Sequence, residues 1–289
     1  MALIMLILMN LAVMASLYIF IFILGAFFGI HLDPKTTSGL FMMAAVFGFG
    51  GAFISLLMSK WMAKRSMGVE IIDTPQNEAE EWLLSTIAKL SAKAGLKMPE
   101  VGIFDGPPNA FATGWNRNDA LVAVSTGLLE IMDPKEIEGV LAHEMSHIKN
   151  GDMITMTLMQ GVLNTFVIFI SRIIADIISP KNEEGESNPF AYMAISFVLE
   201  MVFSLFSTAL LMWFSRYREF KADEGAVKLS GPEGIYYALA KLGQIPKEEL
   251  ALPEGMKAFG IVGFLETLFA SHPPIQQRLK HIEEIAQIR

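Results

Sequence analysis

Apolar residues run almost unbroken from Leu3 to Ile30, with Asn10 and Ser16 the only clear polar interruptions. The pattern returns at Leu40–Met58, Met153–Ile170 and Phe190–Phe214. At ~1.5 Å per residue, each run is close to or beyond the length that crosses ~30 Å of hydrocarbon as a helix. A cleaved signal peptide is the alternative for the first run, but no basic segment precedes it and it is too long. The third run carries Gln160 and Asn164, so a buried helix of a soluble domain competes with a span there. Gly48, Gly50 and Gly51 let the second span approach a neighbour closely. Glu200, near the middle of the fourth, is either a functional intramembrane acid or, more simply, an ion-pair partner for Arg172.

Between the second and third runs the pattern changes to that of an α/β unit. Asn77–Ala94 has the apolar spacing of an amphipathic helix (Trp82, Leu83, Ile87, Leu90), closed by Gly95. Glu100–Phe104 and Ala120–Ser125 read as strands, with a third strand in Asn109–Gly114. Asp133, Pro134 and Glu136 then open another helix with a capping box, and Asn150-Gly151 end it. Residues from Ser215 onwards are helical in character. The expected fold is a mainly α membrane protein, with four transmembrane helices and a soluble α+β domain built on a helix and a small sheet. Its parts are two N-terminal spans (1–58), a soluble segment (59–152), a transmembrane hairpin (153–214) and a soluble C-terminal segment (215–289).

Lys60, Lys64 and Arg65 follow the second run, and Arg216, Arg218 and Lys221 follow the fourth; the short connections 31–38 and 179–189 hold one Lys each. The positive-inside rule therefore places both soluble segments in the cytoplasm. Composition agrees with a membrane protein: 53% hydrophobic, 18% charged, 19 Met and 21 Phe. A net charge of −8 argues against a nucleic-acid partner. With no Cys there is neither a disulfide nor a thiolate metal site. A metal must be held by carboxylates and by some of five histidines: His31, His143, His147, His272 and His281.

The candidate chemistry is His143-Glu144-Met145-Ser146-His147, the His-Glu-x-x-His pattern of zinc peptidases. On a helix, His143 and His147 stack one turn apart and can share an ion, while Glu144 reaches a water without ligating. Two core histidines with ordinary hydrogen bonds are the bland alternative. A catalytic zinc needs a third ligand, and no His follows at short spacing. Glu219 and Asp223 lie at i, i+4, so Glu219 can ligate while Asp223 bonds the outer nitrogen of a ligating His; taken alone, the pair reads more simply as a solvated charged face.

These motifs resemble the HtpX family of bacterial membrane-bound zinc endopeptidases, relatives of the eukaryotic CAAX-prenyl proteases. Also similar are Asn109-Ala110-Phe111-Ala112-Thr113-Gly114, Ser271-His272-Pro273-Pro274, Phe47-Gly48-Phe49-Gly50-Gly51 and Leu57-Met58-Ser59-Lys60-Trp61. The resemblance implies one Zn2+ per chain on His143, His147 and Glu219, with Glu144 as general base. It implies His272 as a donor to the oxyanion, Arg278 assisting at the substrate, and residues Asn109, Ala110, Phe111, Ala112 and Thr113 as an edge strand that pairs with substrate. The implied role is cleavage of misfolded or damaged membrane proteins at the cytoplasmic face of the inner membrane, often under stress. The partners are then polypeptides and the bilayer. A non-enzymatic scaffold or holdase with structural histidines, and a zinc hydrolase of a non-peptide substrate such as a lipid, are the alternatives.

Overall fold

The computed structural model describes residues 19, 21–23, 25–27, 29, 33, 35–183, 185, 187–244 and 272–287. Most of the expected first span and His31 lie outside the described residues, as does 245–271. In chain order the elements are α1 (Thr37–Met67), β1 (Glu70–Ile71), α2 (Glu78–Ala94), β2 (Glu100–Phe104), β3 (Ala110–Asn116) and β4 (Asp119–Ser125). Then follow α3 (Thr126–Ile131), α4 (Pro134–Asn150), α5 (Asp152–Ile178), α6 (Pro189–Ser230), α7 (Pro232–Leu242) and α8 (Ile275–Gln287). Among the described residues, α1, α5 and α6 are long and apolar enough to cross a membrane. The expected total of four rests on the first run.

The chain divides into two compact units, Met1–Leu56 with Thr155–Leu211 and Leu57–Ile154 with Met212–Arg289. In the first, α1 meets α5 where Gly48 faces Thr165 and Gly161 faces Phe49; a Cβ at either glycine would collide with that neighbour. Phe41 and Phe169 pack edge to face with centroids 5.3 Å apart. Arg172 on α5 and Glu200 on α6 pair at 3.7 Å, the simpler of the two roles expected for Glu200. Phe190, Met193, Phe197, Phe206 and Leu210 point outward, an arrangement suited to lipid rather than water.

The second unit is built on a four-stranded mixed sheet of order β1-β2-β4-β3. β2 runs parallel to β4, and β3 pairs antiparallel with β4 on its other side. That leaves β3 at an edge. A bulge at Gly114–Asn116 bends the end of β3; Gly114 has φ 147°, and its Cβ would meet the Asp119 carbonyl. Leu83, Ile87 and Leu90 of α2 pack with Val101, Val122 and Val124 of the sheet, Leu141 and Met145 of α4, and Ile282 of α8 in one core. Fully burying each such side chain is worth roughly 1.5–3 kcal/mol. α2 is bounded as its sequence suggests: the Asn77 side chain accepts from the Glu80 N–H, and Gly95 closes it in the left-handed region. α4 lies against α2, β3, β4 and α7, so the helix carrying His143 and His147 is held on several sides. It crosses α7 at Gly139 and Gly234, where the backbones are too close for a side chain on either residue.

Candidate metal centre

α4 begins at Asp133, whose N–H donates to the Glu136 carboxylate at 2.8 Å, and ends at Gly151 with φ 71°. Its regular geometry puts the His143 and His147 rings 4.7 Å apart at 90°, with their Nε2 atoms 3.1 Å from each other. Glu219 comes from α6, which approaches α4 closely because Gly225 faces Ser146 without a Cβ. One Glu219 oxygen lies 3.5 Å from His143 Nε2 and the other 3.3 Å from His147 Nε2. The two Nε2 atoms each meet a different oxygen of Glu219, and one ligand atom from each of the three residues lies within 4.8 Å of the others; the donor types, two imidazoles and a carboxylate, suit a zinc ion. Glu144, half-buried, follows His143 directly on the same helix.

The outer nitrogens are held by carboxylates. His143 Nδ1 is 3.0 Å from Asp223 Oδ1, and His147 Nδ1 is 2.6 Å from Asp152 Oδ2. Each carboxylate is in turn held by an arginine. Arg278 donates twice to Asp223, from Nε at 2.8 Å and from a terminal nitrogen at 2.6 Å, while Arg218 pairs with the other oxygen of Asp152. Arg278 also lies 3.3 Å from Glu219, and His272 Nδ1 is 2.7 Å from the same carboxylate.

Burial alone would raise the pKa of Glu219; hydrogen bonds from His143, His147 and His272 reverse this and hold it far below the usual carboxylate range. Burial likewise opposes ionisation of Asp223, and the bonds from Arg278 and His143 outweigh it. Arg278 is pushed down by burial but lifted above its ordinary value by its bond to Asp223. The centre is therefore a charged, buried network in which each ion has an opposite partner.

The structure brings together the residues named from sequence as ligands (His143, His147 and Glu219), as an orienting group (Asp223) and as an oxyanion donor (His272). His272 is exposed, and Asn109 and β3 lie at the sheet edge next to α4. Arg278 is only 7% exposed and lies against Asp223, Glu219 and His143. Asp152 and Arg218 were not foreseen. Asp152 lies beyond the His-Glu-x-x-His spacing, and only the turn at Gly151 returns it to His147; its one sequence signal is its place just after that glycine. His281 packs its ring on Phe220, centroids 5.0 Å apart, away from the ligands.

The sequence profile described as Peptidase family M48 matches residues 77–286. A "Protease HtpX" of Stenotrophomonas maltophilia (strain R551-3) is 52% identical over 275 residues, covering 93% of each chain. Another of that description, from Aeromonas hydrophila subsp. hydrophila, is 54% identical over 280 residues, covering 93% of this chain and 95% of its own. Among solved structures, S. mikatae Ste24p superposes with a TM-score of 0.64 at 18% identity, over 93% of this chain and 67% of that one. This last likeness concerns the fold.

Proposed function

The chain belongs to Peptidase family M48, and from that premise we propose that this membrane metalloendopeptidase uses one zinc ion held by His143, His147 and Glu219. The observation that carries the reading is the convergence of those three donors, one ligand atom from each lying within 4.8 Å of the others. When bound, zinc supplies Lewis acidity and makes a water nucleophilic at neutral pH. Asp223 and Asp152 accept the Nδ1 protons of the two histidines, so that both Nε2 lone pairs face inward. Arg278 keeps Asp223 ionised, and the two arginines hold those carboxylates in place. Glu144 takes the proton of the attacking water and returns one to the departing amine. His272, exposed beside Glu219, donates to the developing oxyanion. The free edge of β3, from Asn109 through Ala110, Phe111 and Ala112 to Thr113, accepts an extended substrate as an added strand, which tolerates many side chains.

The substrates on this reading are misfolded or damaged membrane proteins, cut on the cytoplasmic side of the bacterial inner membrane. The basic residues after two of the apolar runs support that orientation. The scaffold and non-peptide alternatives have no support from the relatives, which carry the name of a protease. Reconstituted Glu144→Gln protein is the test. It keeps its zinc and loses about 10²–10⁴-fold in cleavage of an unfolded membrane protein. A zinc-loaded variant that cleaves at the parental rate refutes the assignment.

A further inference from the structure

Beside the metal centre, on the side of α4 that faces α6, lies a cavity of about 250 Å3 lined by Lys149, Asn150, Arg218, Lys221, Glu224 and Lys228, among others. At ~30 Å3 per water this holds several water-sized groups, enough for a phosphate and part of its substituent. Four cations face one anion across it. Glu224 occupies Lys221 at 2.8 Å and Asp152 occupies one end of Arg218; Lys149 and Lys228, both exposed, have no anionic partner among the described residues. The cavity also has donors without acceptors: among the described residues, Arg218 Nε and Asn150 Nδ2 are buried and meet no hydrogen-bond partner. A buried donor left unmatched costs about 1–3 kcal/mol. The missing partner must accept hydrogen bonds, offer several oxygens and carry negative charge.

We propose that this cavity binds a phosphate-bearing anion, which seats Arg218 and through it steadies Asp152 on His147. The guanidinium is suited to both tasks, since one terminal nitrogen holds Asp152 while Nε remains for the ligand; a rigid fork donates to two acceptors at once. Two sources share this chemistry. One is a phospholipid headgroup: Arg218 comes four residues after the apolar run of α6 ends at Phe214, about 6 Å along the helix, within headgroup reach. The other is free phosphate. Binding itself does not depend on the proposed zinc chemistry; only its effect on the ion does.

The test uses the full chain, zinc-loaded, in nanodiscs of phosphatidylcholine, of phosphatidylcholine with phosphatidylglycerol, and of phosphatidylcholine with added inorganic phosphate, all at equal ionic strength. The readout is the rate at which a chelator removes the metal. A ligand at ten times its dissociation constant that favours the loaded form slows release roughly tenfold. Slowing by phosphatidylglycerol alone identifies the headgroup, and slowing by inorganic phosphate identifies the free anion. The double variant Lys149→Ala/Lys228→Ala keeps its basal peptidase rate and loses the slowing. The proposal is overturned if neither anion slows release, or if the double variant responds as the parent does. Should the chain hold no metal, broadening of the inorganic phosphate 31P resonance by the parent and not by the double variant supports the site; equal broadening overturns it.

Discussion

The outer ring nitrogens of His143 and His147 each meet an aspartate that is itself fixed by an arginine: His143 to Asp223 to Arg278, and His147 to Asp152 to Arg218. The repetition gives a prediction at single residues. Asp152→Asn and Asp223→Asn each lower metal affinity about 10–100-fold, measured by chelator competition; parental affinity in both contradicts the orienting role. Arg278→Met leaves Asp223, fully buried, without its cation, and costs about 3–5 kcal/mol, seen as a lower unfolding midpoint in detergent. The two relays were unequally legible in the sequence. Glu219 and Asp223 stand one helical turn apart and announce a shared face. Asp152 and Arg218 are distant in sequence and meet only because the chain turns at Gly151 and α6 lies against α4. Arg278 enters the sequence reading only through the family resemblance, and sequence cannot show that its side chain is buried against Asp223.

At the scale of elements, the boundaries of α2 and α4 followed from capping chemistry at Asn77, Gly95, Asp133 and Gly151. The two-residue β1 and the six-residue α3 were missed, being too short for hydrophobic spacing to reveal a period. The continuity of α6 was hidden as well. A change from apolar to charged composition near Phe214 reads as a boundary, yet one helix runs from Pro189 to Ser230 and carries Glu219 and Asp223. The crossing of α4 and α7 is the element most exposed to mutation. Gly139→Ala drives a methyl into the backbone of Gly234 and Ile235, where no rotamer change relieves it. The expected loss is about 1–3 kcal/mol, read from thermal unfolding, and an unchanged midpoint would show that the helices separate freely.

For the molecule as a whole, composition foretold a membrane protein, and the exposed aromatic and aliphatic side chains of α6 fit that reading. What composition left unseen is a tie made by Lys60, which follows the second apolar run and bonds Glu100 of β2, at 3.0 Å, and Asp119 of β4. The Lys60 bond holds Asp119 below its ordinary range. Burial works against Glu100, and bonds from Lys64 and Lys60 outweigh it. Both carboxylates are thus depressed on folding, so their stabilisation is complete above the ordinary carboxylate range and fades as pH falls through the lower folded values. Lys60→Met is expected to cost about 0.2–1 kcal/mol per exposed pair near neutrality. The gap from the parent closes as unfolding is followed from pH 5 toward pH 3. A gap that is constant with pH would mean that Lys60 acts through packing alone.

The most direct measurement is metal content of the intact, detergent-purified chain beside its Glu219→Gln and Glu144→Gln variants, with peptidase activity on the same samples. The account predicts one zinc per chain in the parent and in Glu144→Gln, little in Glu219→Gln, and cleavage by the parent alone. Full zinc in Glu219→Gln, or an active parent without metal, would contradict it.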